Sequence, residues 1–179
     1  MKVLGALLIL IATAFPFGNA SSEALPPLQS LATNTRKTTW EGLAIVVNRK
    51  NPTTNVTLPQ LRAMFIGESR WWTNRSRVTL AAMRRGTPER QTVLRVIYKM
   101  DDKDLDRYFL YQRFKGEAST SATTLRTSAD VKKFVVRTPG ALGYLRLSDV
   151  DDSVKIVRVN GLLPEDDGYP LRLRVRRPK

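Results

Sequence analysis

Between residues 43 and 175 short apolar runs alternate with stretches of helical period, and turn-forming residues sit at most of the junctions. This alternation constrains the fold more than any other feature, because strands separated by helices return to a sheet by crossover connections. "LAIVVN" (Leu43 to Asn48) reads as a buried strand, stopped by the turn-forming "NRKNPTTN". Thr57 is placed to cap a helix whose Leu58, Leu61 and Phe65 share one face, with Gly67 ending it. "RVTLAAM" is the next strand, and the helix after Pro88 carries Val93, Leu94, Ile97 and Tyr98. Asp101 to Asp106 opens a further helix through "LDRYFLYQRF", closed by Gly116, and residues 117 to 127 read as loop. Ser128 is the expected cap of "ADVKKFVVRT", and Pro139-Gly140 turns the chain into the apolar "ALGYL". "VKIVRV" is a strand, Asn160-Gly161 a turn, and "LRLRV" a last strand. These elements predict an α/β domain over residues 43–175, with a mostly parallel sheet flanked by helices.

The flanks read differently. Lys2, the apolar run from Val3 to Phe17 and the small residues of "FGNA" have the layout of a secretory signal, residues 1–20, cut after Ala20. The run is shorter than the ~20 residues of a spanning helix, so the expected product is periplasmic or secreted, with no transmembrane segment after cleavage. Residues 21–42, rich in Ser, Thr and Pro, read as a flexible leader, and 176–179 as a basic tail. In "YPLRLRVRRPK" the apolar Leu171, Leu173 and Val175 alternate with Arg172, Arg174 and Arg176, so one face packs while the other stays wet. Those arginines either protect a sheet edge or offer a landing site for anionic polymer.

Net charge is +14, which favours anionic partners. The chain has no cysteine and no histidine, so disulfides, thiolate chemistry, Ser-His triads and His- or Cys-based zinc sites are excluded. No acid–base or nucleophile set assembles from what remains. The chain is therefore expected to have no catalytic residues, no metal site, no cofactor and no specific nucleic-acid partner. "DDKDLD" resembles the opening of a calcium loop, but Arg107 stands where glycine is required and Arg113 where the bidentate Glu belongs. Its acidic residues are better read as helix-opening charges. "DVDD" and "EDD" read as solvated loops, and Asn55-Val56-Thr57 and Asn74-Arg75-Ser76 as chance glycosylation triplets. Trp71-Trp72 is the kind of pair that anchors a loop to a core.

The candidate binding site lies in "AMRRGTPERQTVL", where a strand runs through a basic turn into a helix. Thr87 suits the helix cap and Pro88 the first helical position. Gly86 lets backbone come close, and Arg84 or Arg85 supplies counter-charge to an anion at the helix start. Glu89, one residue further on, opposes this by putting a negative charge in the first turn. The junction therefore reads as an anion site formed by Arg84, Arg85, Gly86 and Thr87, or as an ordinary helix start.

A series of segments resembles the small periplasmic-binding-protein-like proteins related to the phosphate-binding components of phosphate ABC transporters. In "LPQLRAMFIGESRWWTNR" these are Leu61, Phe65, Gly67, Trp72 and Asn74. The likeness continues in "RFKG" (Arg113 to Gly116), in "VVRTPGALGYL" (Val135 to Leu145) and in "NGLLPEDDGYPLRL", spanning residues 44 to 173 in order. It implies a single lobe of a type 2 periplasmic-binding-protein-like fold. It also implies an exported solute-binding role with phosphate or a similar anion as ligand, and a transporter or envelope protein as partner. The alternative is a non-enzymatic envelope domain contacting protein or anionic polymer. The family's phosphate cage places an Arg before Gly-Ser-Gly-Thr. Here Gly86-Thr87 is followed by Pro88 and Glu89, and the arginines stand at 84 and 85.

Overall fold

The computed structural model describes residues 39–116 and 122–175. The signal, most of the leader and the basic tail lie outside the described residues. In chain order the elements are β1 (Thr39–Val47), β2 (Asn55–Val56), α1 (Leu58–Ile66), β3 (Thr79–Met83), α2 (Pro88–Val93) and a π-helical turn (Leu94–Tyr98). There follow α3 (Asp102–Phe114), β4 (Thr123–Leu125), α4 (Ser128–Arg137), β5 (Ala141–Arg146), a 3-10 turn (Leu147–Asp149), β6 (Lys155–Val159) and β7 (Arg172–Val175).

The strands form one sheet in the order β2-β6-β1-β5-β3-β4, with β7 paired to β1. β2 runs parallel to β6, and β3 parallel to both β4 and β5, whereas β1 is antiparallel to β5, β6 and β7. The sheet expected to be mostly parallel is thus mixed in its pairings: β1 opposes a set of strands that all run one way. The helical crossovers fixed the parallel pairs, but nothing local to β1 records that it is inserted in reverse between β5 and β6. Val47 pairs with Leu142 on one side and with Lys155 on the other. Leu43 to Val47 is consequently buried on both faces, with each of its Leu, Ile and Val side chains contributing roughly 1.5–3 kcal/mol.

Local chemistry sets the helix ends. Thr57 caps α1 and forms a capping box with Gln60, and Gly67 closes it in the left-handed region at φ 86°. α4 begins one residue earlier than expected. Its cap is Thr127, boxed with Asp130, while Ser128 donates to Asp149 Oδ2 at 2.6 Å. Three more readings change. β1 begins at Thr39, inside the segment assigned to the leader, because Thr39–Gly42 pairs with β7. β2 lies at the end of a stretch read as turn, and β4 within one read as loop. Both are very short and largely polar, and take strand form from pairing with β6 and β3.

The core is continuous across the sheet and holds Tyr144, Phe65, Leu61, Leu80 and Ile97 among its fully buried side chains. Trp72 is buried and its indole Nε1–H donates to Gly140 O at 3.0 Å, while Trp71 is exposed. Only the second tryptophan anchors the loop. Leu171 and Leu173 are buried in and beside β7, as the alternation requires. No helix among the described residues is long and apolar enough to cross a membrane.

Candidate anion-binding junction and the adjoining cleft

β3 ends at Met83, and the Arg84 N–H donates to Leu125 O at 2.9 Å. The chain then turns through Gly86 at φ 83°. A Cβ placed on Gly86 would meet nothing within 4 Å, so this glycine answers the backbone's left-handed turn rather than a close approach. Thr87 Oγ1 accepts from the Arg90 N–H at 3.3 Å and donates to Arg84 O at 3.0 Å. Its hydroxyl both caps α2 and pins the turn. Pro88 occupies the first turn.

The four residues proposed from sequence lie together at this corner and are not equivalent. Arg85 is ion-paired with Asp106 and lies 3.8 Å from Asp102. The pairing with Asp106 holds its guanidinium pKa above the ordinary value. Arg84 is exposed, and its side chain has no carboxylate partner among the described residues. Glu89 does not face the corner. Its side chain is 6% exposed and ion-paired with Arg146 of β5. The repulsion that the sequence suggested is thereby drawn inward and compensated by a guanidinium.

Two aspartates of the "DDKDLD" segment are committed to this region. Arg90 Nε and Nη2 both donate to Asp102 Oδ1, at 2.9 and 2.8 Å. Asp102 therefore fastens α3 to α2 through Arg90, and Asp106 fastens it to the preceding turn through Arg85. Asp101 caps α3, accepting from the Asp104 N–H at 2.8 Å. Among the described residues no group of three or more acidic side chains is placed to hold a metal ion.

Beside the junction a cleft of about 620 Å³ opens between α2, the π-helical turn and α3. Ala82 of β3 and Tyr144 of β5 line its sheet side, and Tyr98 and Phe109 belong to its helical side. The Phe65 and Tyr98 rings meet edge to face with centroids 5.6 Å apart. Arg62 fixes the end of the π-helical turn, donating to Ile97 O at 3.0 Å and Tyr98 O at 2.6 Å. Tyr144 accepts from the Met83 N–H at 2.9 Å, and burial pushes its phenol up to about 12. Burial likewise raises Tyr98. Sequence reading placed Tyr98 on a helix face and missed the cleft, because the wider turn that positions it leaves no mark on apolar spacing.

No family model matches the chain. Similar solved structures include a phosphate ABC transporter substrate-binding protein with bound phosphate from Clostridium perfringens, 19% identical, with a TM-score of 0.63 over 75% of this chain and 54% of that one. The Borrelia burgdorferi PstS is 12% identical, with a TM-score of 0.61 over 76% and 56%. An ABC-type phosphate transport receptor from Vibrio cholerae is 21% identical, with a TM-score of 0.58 over 75% and 55%. The likeness is one of fold. The chain is a mixed α/β unit with a central sheet flanked by helices, and it spans little more than half the length of these receptors.

Proposed function

We propose that this protein is an exported solute-binding-like domain whose Arg84–Thr87 corner takes up phosphate-like anions weakly. The observation that carries the reading is the disposition of charge around the corner. Glu89 is sequestered against Arg146, Arg84 stands exposed, and the helix start adds its partial positive charge. Arg85, held by Asp106, contributes to the local potential more than to direct contact. Fold likeness to proteins described as phosphate receptors supports the same ligand class. Arg84 is exposed to solvent and to screening by salt, so the affinity expected is low and salt-sensitive. Export with cleavage after Ala20, a periplasmic or secreted location and delivery to a transporter belong to this reading. Among the described residues no acid–base or nucleophile set is assembled, and the reading is of a binding domain.

Calorimetric or NMR titration of inorganic phosphate into the wild type and an Arg84→Ala, Arg85→Ala variant tests the proposal. Saturable shifts at the Gly86 and Thr87 amides, abolished in the folded variant, are expected. Absence of saturation, or an identical response in the variant, returns the junction to an ordinary helix start. The exposed Leu110, Tyr111 and Phe114 on α3 favour the second reading, an envelope interaction domain, and that reading gains if phosphate produces no response.

A further inference from the structure

The cleft has a chemistry that the junction beside it does not share. α3 is 13 residues long yet gives the core one buried side chain, Leu105. Phe109 and Leu110 line the cleft instead, together with Phe65, Val93 and Tyr98. The walls are therefore mostly apolar and aromatic, and the volume of about 620 Å³ lies in the range of small-molecule sites. Three guanidinium groups line it as well: Arg85, Arg90 and Arg113. The first two are committed to Asp106 and Asp102. Arg113, in the last turn of α3, has no side-chain ion pair or hydrogen bond among the described residues.

An open cleft with mostly apolar walls, the Asp106 carboxylate on its lining and one uncommitted cation is a poor site for inorganic phosphate. The ion would lose water on several sides and regain a hydrogen-bonding partner on one. The same cleft, with Arg113 at an exposed position and aromatic rings on its walls, suits a molecule with a charged end and an apolar body. We propose that the cleft binds an amphipathic organic anion, with its oxyanion head on Arg113 and its alkyl or aryl body against Phe65, Tyr98 and Phe109. The head rests on Arg113 and not on Arg84, Gly86 or Thr87; Arg85 lines the cleft as well as the junction but is held by Asp106, so the Arg113 variant separates this site from phosphate binding at the junction.

Octyl phosphate, kept below its micelle concentration, is the probe, titrated into the isotopically labelled protein and followed by NMR. Saturable shifts are expected at the amides of Ala82, Val93, Tyr98 and Phe109. The half-point should lie at least about tenfold below those of inorganic phosphate and of octanol at the same amides, since each lacks one of the two contributions. Arg113→Gln, at an exposed position, should weaken octyl phosphate about tenfold. Thr124→Trp, at an exposed position lining the cleft, should fill the space and abolish the shifts while spectral dispersion shows both variants folded. Octanol binding as tightly as octyl phosphate would overturn the anion assignment. No saturable change at these amides, or unchanged affinity in both folded variants, would overturn the site.

Discussion

Glu89 has two physical roles available to it, and the tertiary structure selects one. In the first turn of a helix a carboxylate is favoured by the helix dipole while remaining in water. Here it is instead turned against β5 and compensated by Arg146, whose side chain is 30% exposed. Removing one member of such a pair leaves an uncompensated buried charge. Arg146→Ala should therefore lower unfolding free energy by about 3 kcal/mol, measured by urea denaturation at neutral pH. Adding Glu89→Gln to that variant should recover part of the loss, giving non-additivity in a double-mutant cycle. An unchanged midpoint in Arg146→Ala would mean that Glu89 finds solvent. The residue types at this corner were legible in the sequence, including the Thr87 cap and the Gly86 turn. The pairing was not, because its partners are 57 residues apart and neither carries a local sign of the other.

Among the elements, the Thr138–Gly140 turn shows how a short motif acquires its constraint from distant backbone. Gly140 O accepts from the Thr79 N–H at 3.0 Å and from the Trp72 indole at 3.0 Å. A Cβ on Gly140 would stand 2.0 Å from Arg77 O. Glycine is required here by the approach of another chain segment, unlike at Gly86, where the backbone angle requires it. Gly140→Ala should force the Arg77 segment away from β5 and cost about 1–3 kcal/mol, whereas Gly86→Ala should meet no steric neighbour and carry only the left-handed backbone cost, about 1 kcal/mol. Thermal unfolding of the two variants side by side tests the distinction, and equal losses would contradict it. The turn itself was readable from Pro139-Gly140. α3 was readable as well, from Asp101 to Gly116, but not its loose seating, since apolar spacing shows which residues can pack and not what space lies opposite them.

Across the whole molecule, buried phenols make stability depend on alkaline pH. Burial raises Tyr98, Tyr144 and Tyr169 above the ordinary value of 10, with Tyr144 at about 12. The Met83 N–H donated to the Tyr144 oxygen works the other way, but burial outweighs it, and the Tyr169 hydroxyl donates to Leu43 O at 3.0 Å. The folded state thus favours the neutral phenol. This contribution is complete below pH 10 and is lost as pH rises through the raised native values. We expect these tyrosines to ionise together with loss of tertiary structure, seen as a cooperative rise in absorbance at 295 nm that coincides with the circular dichroism transition. Ionisation of Tyr98, Tyr144 and Tyr169 near pH 10 with the dichroism intact would contradict the burial of these hydroxyls.

At that same scale, the sequence determined which segments are strands and helices wherever local information is strong. Apolar runs mark β1, β3, β5 and β6, capping residues mark the helices, and alternating Leu and Arg mark β7. These signals lie within a few residues of the structure they specify, so they survive without knowledge of the rest of the chain. Tertiary structure alone decided the reversed insertion of β1, the existence of β2 and β4, the inward turn of Glu89 and the cleft beneath α3. Each depends on a surface contributed from far along the chain. Val47 meets Leu142 and Lys155, Glu89 meets Arg146, and the cleft takes its walls from α1, the strands and α3. Local propensity gives each segment its form, and the juxtaposition of distant segments gives it direction, burial and charge partners.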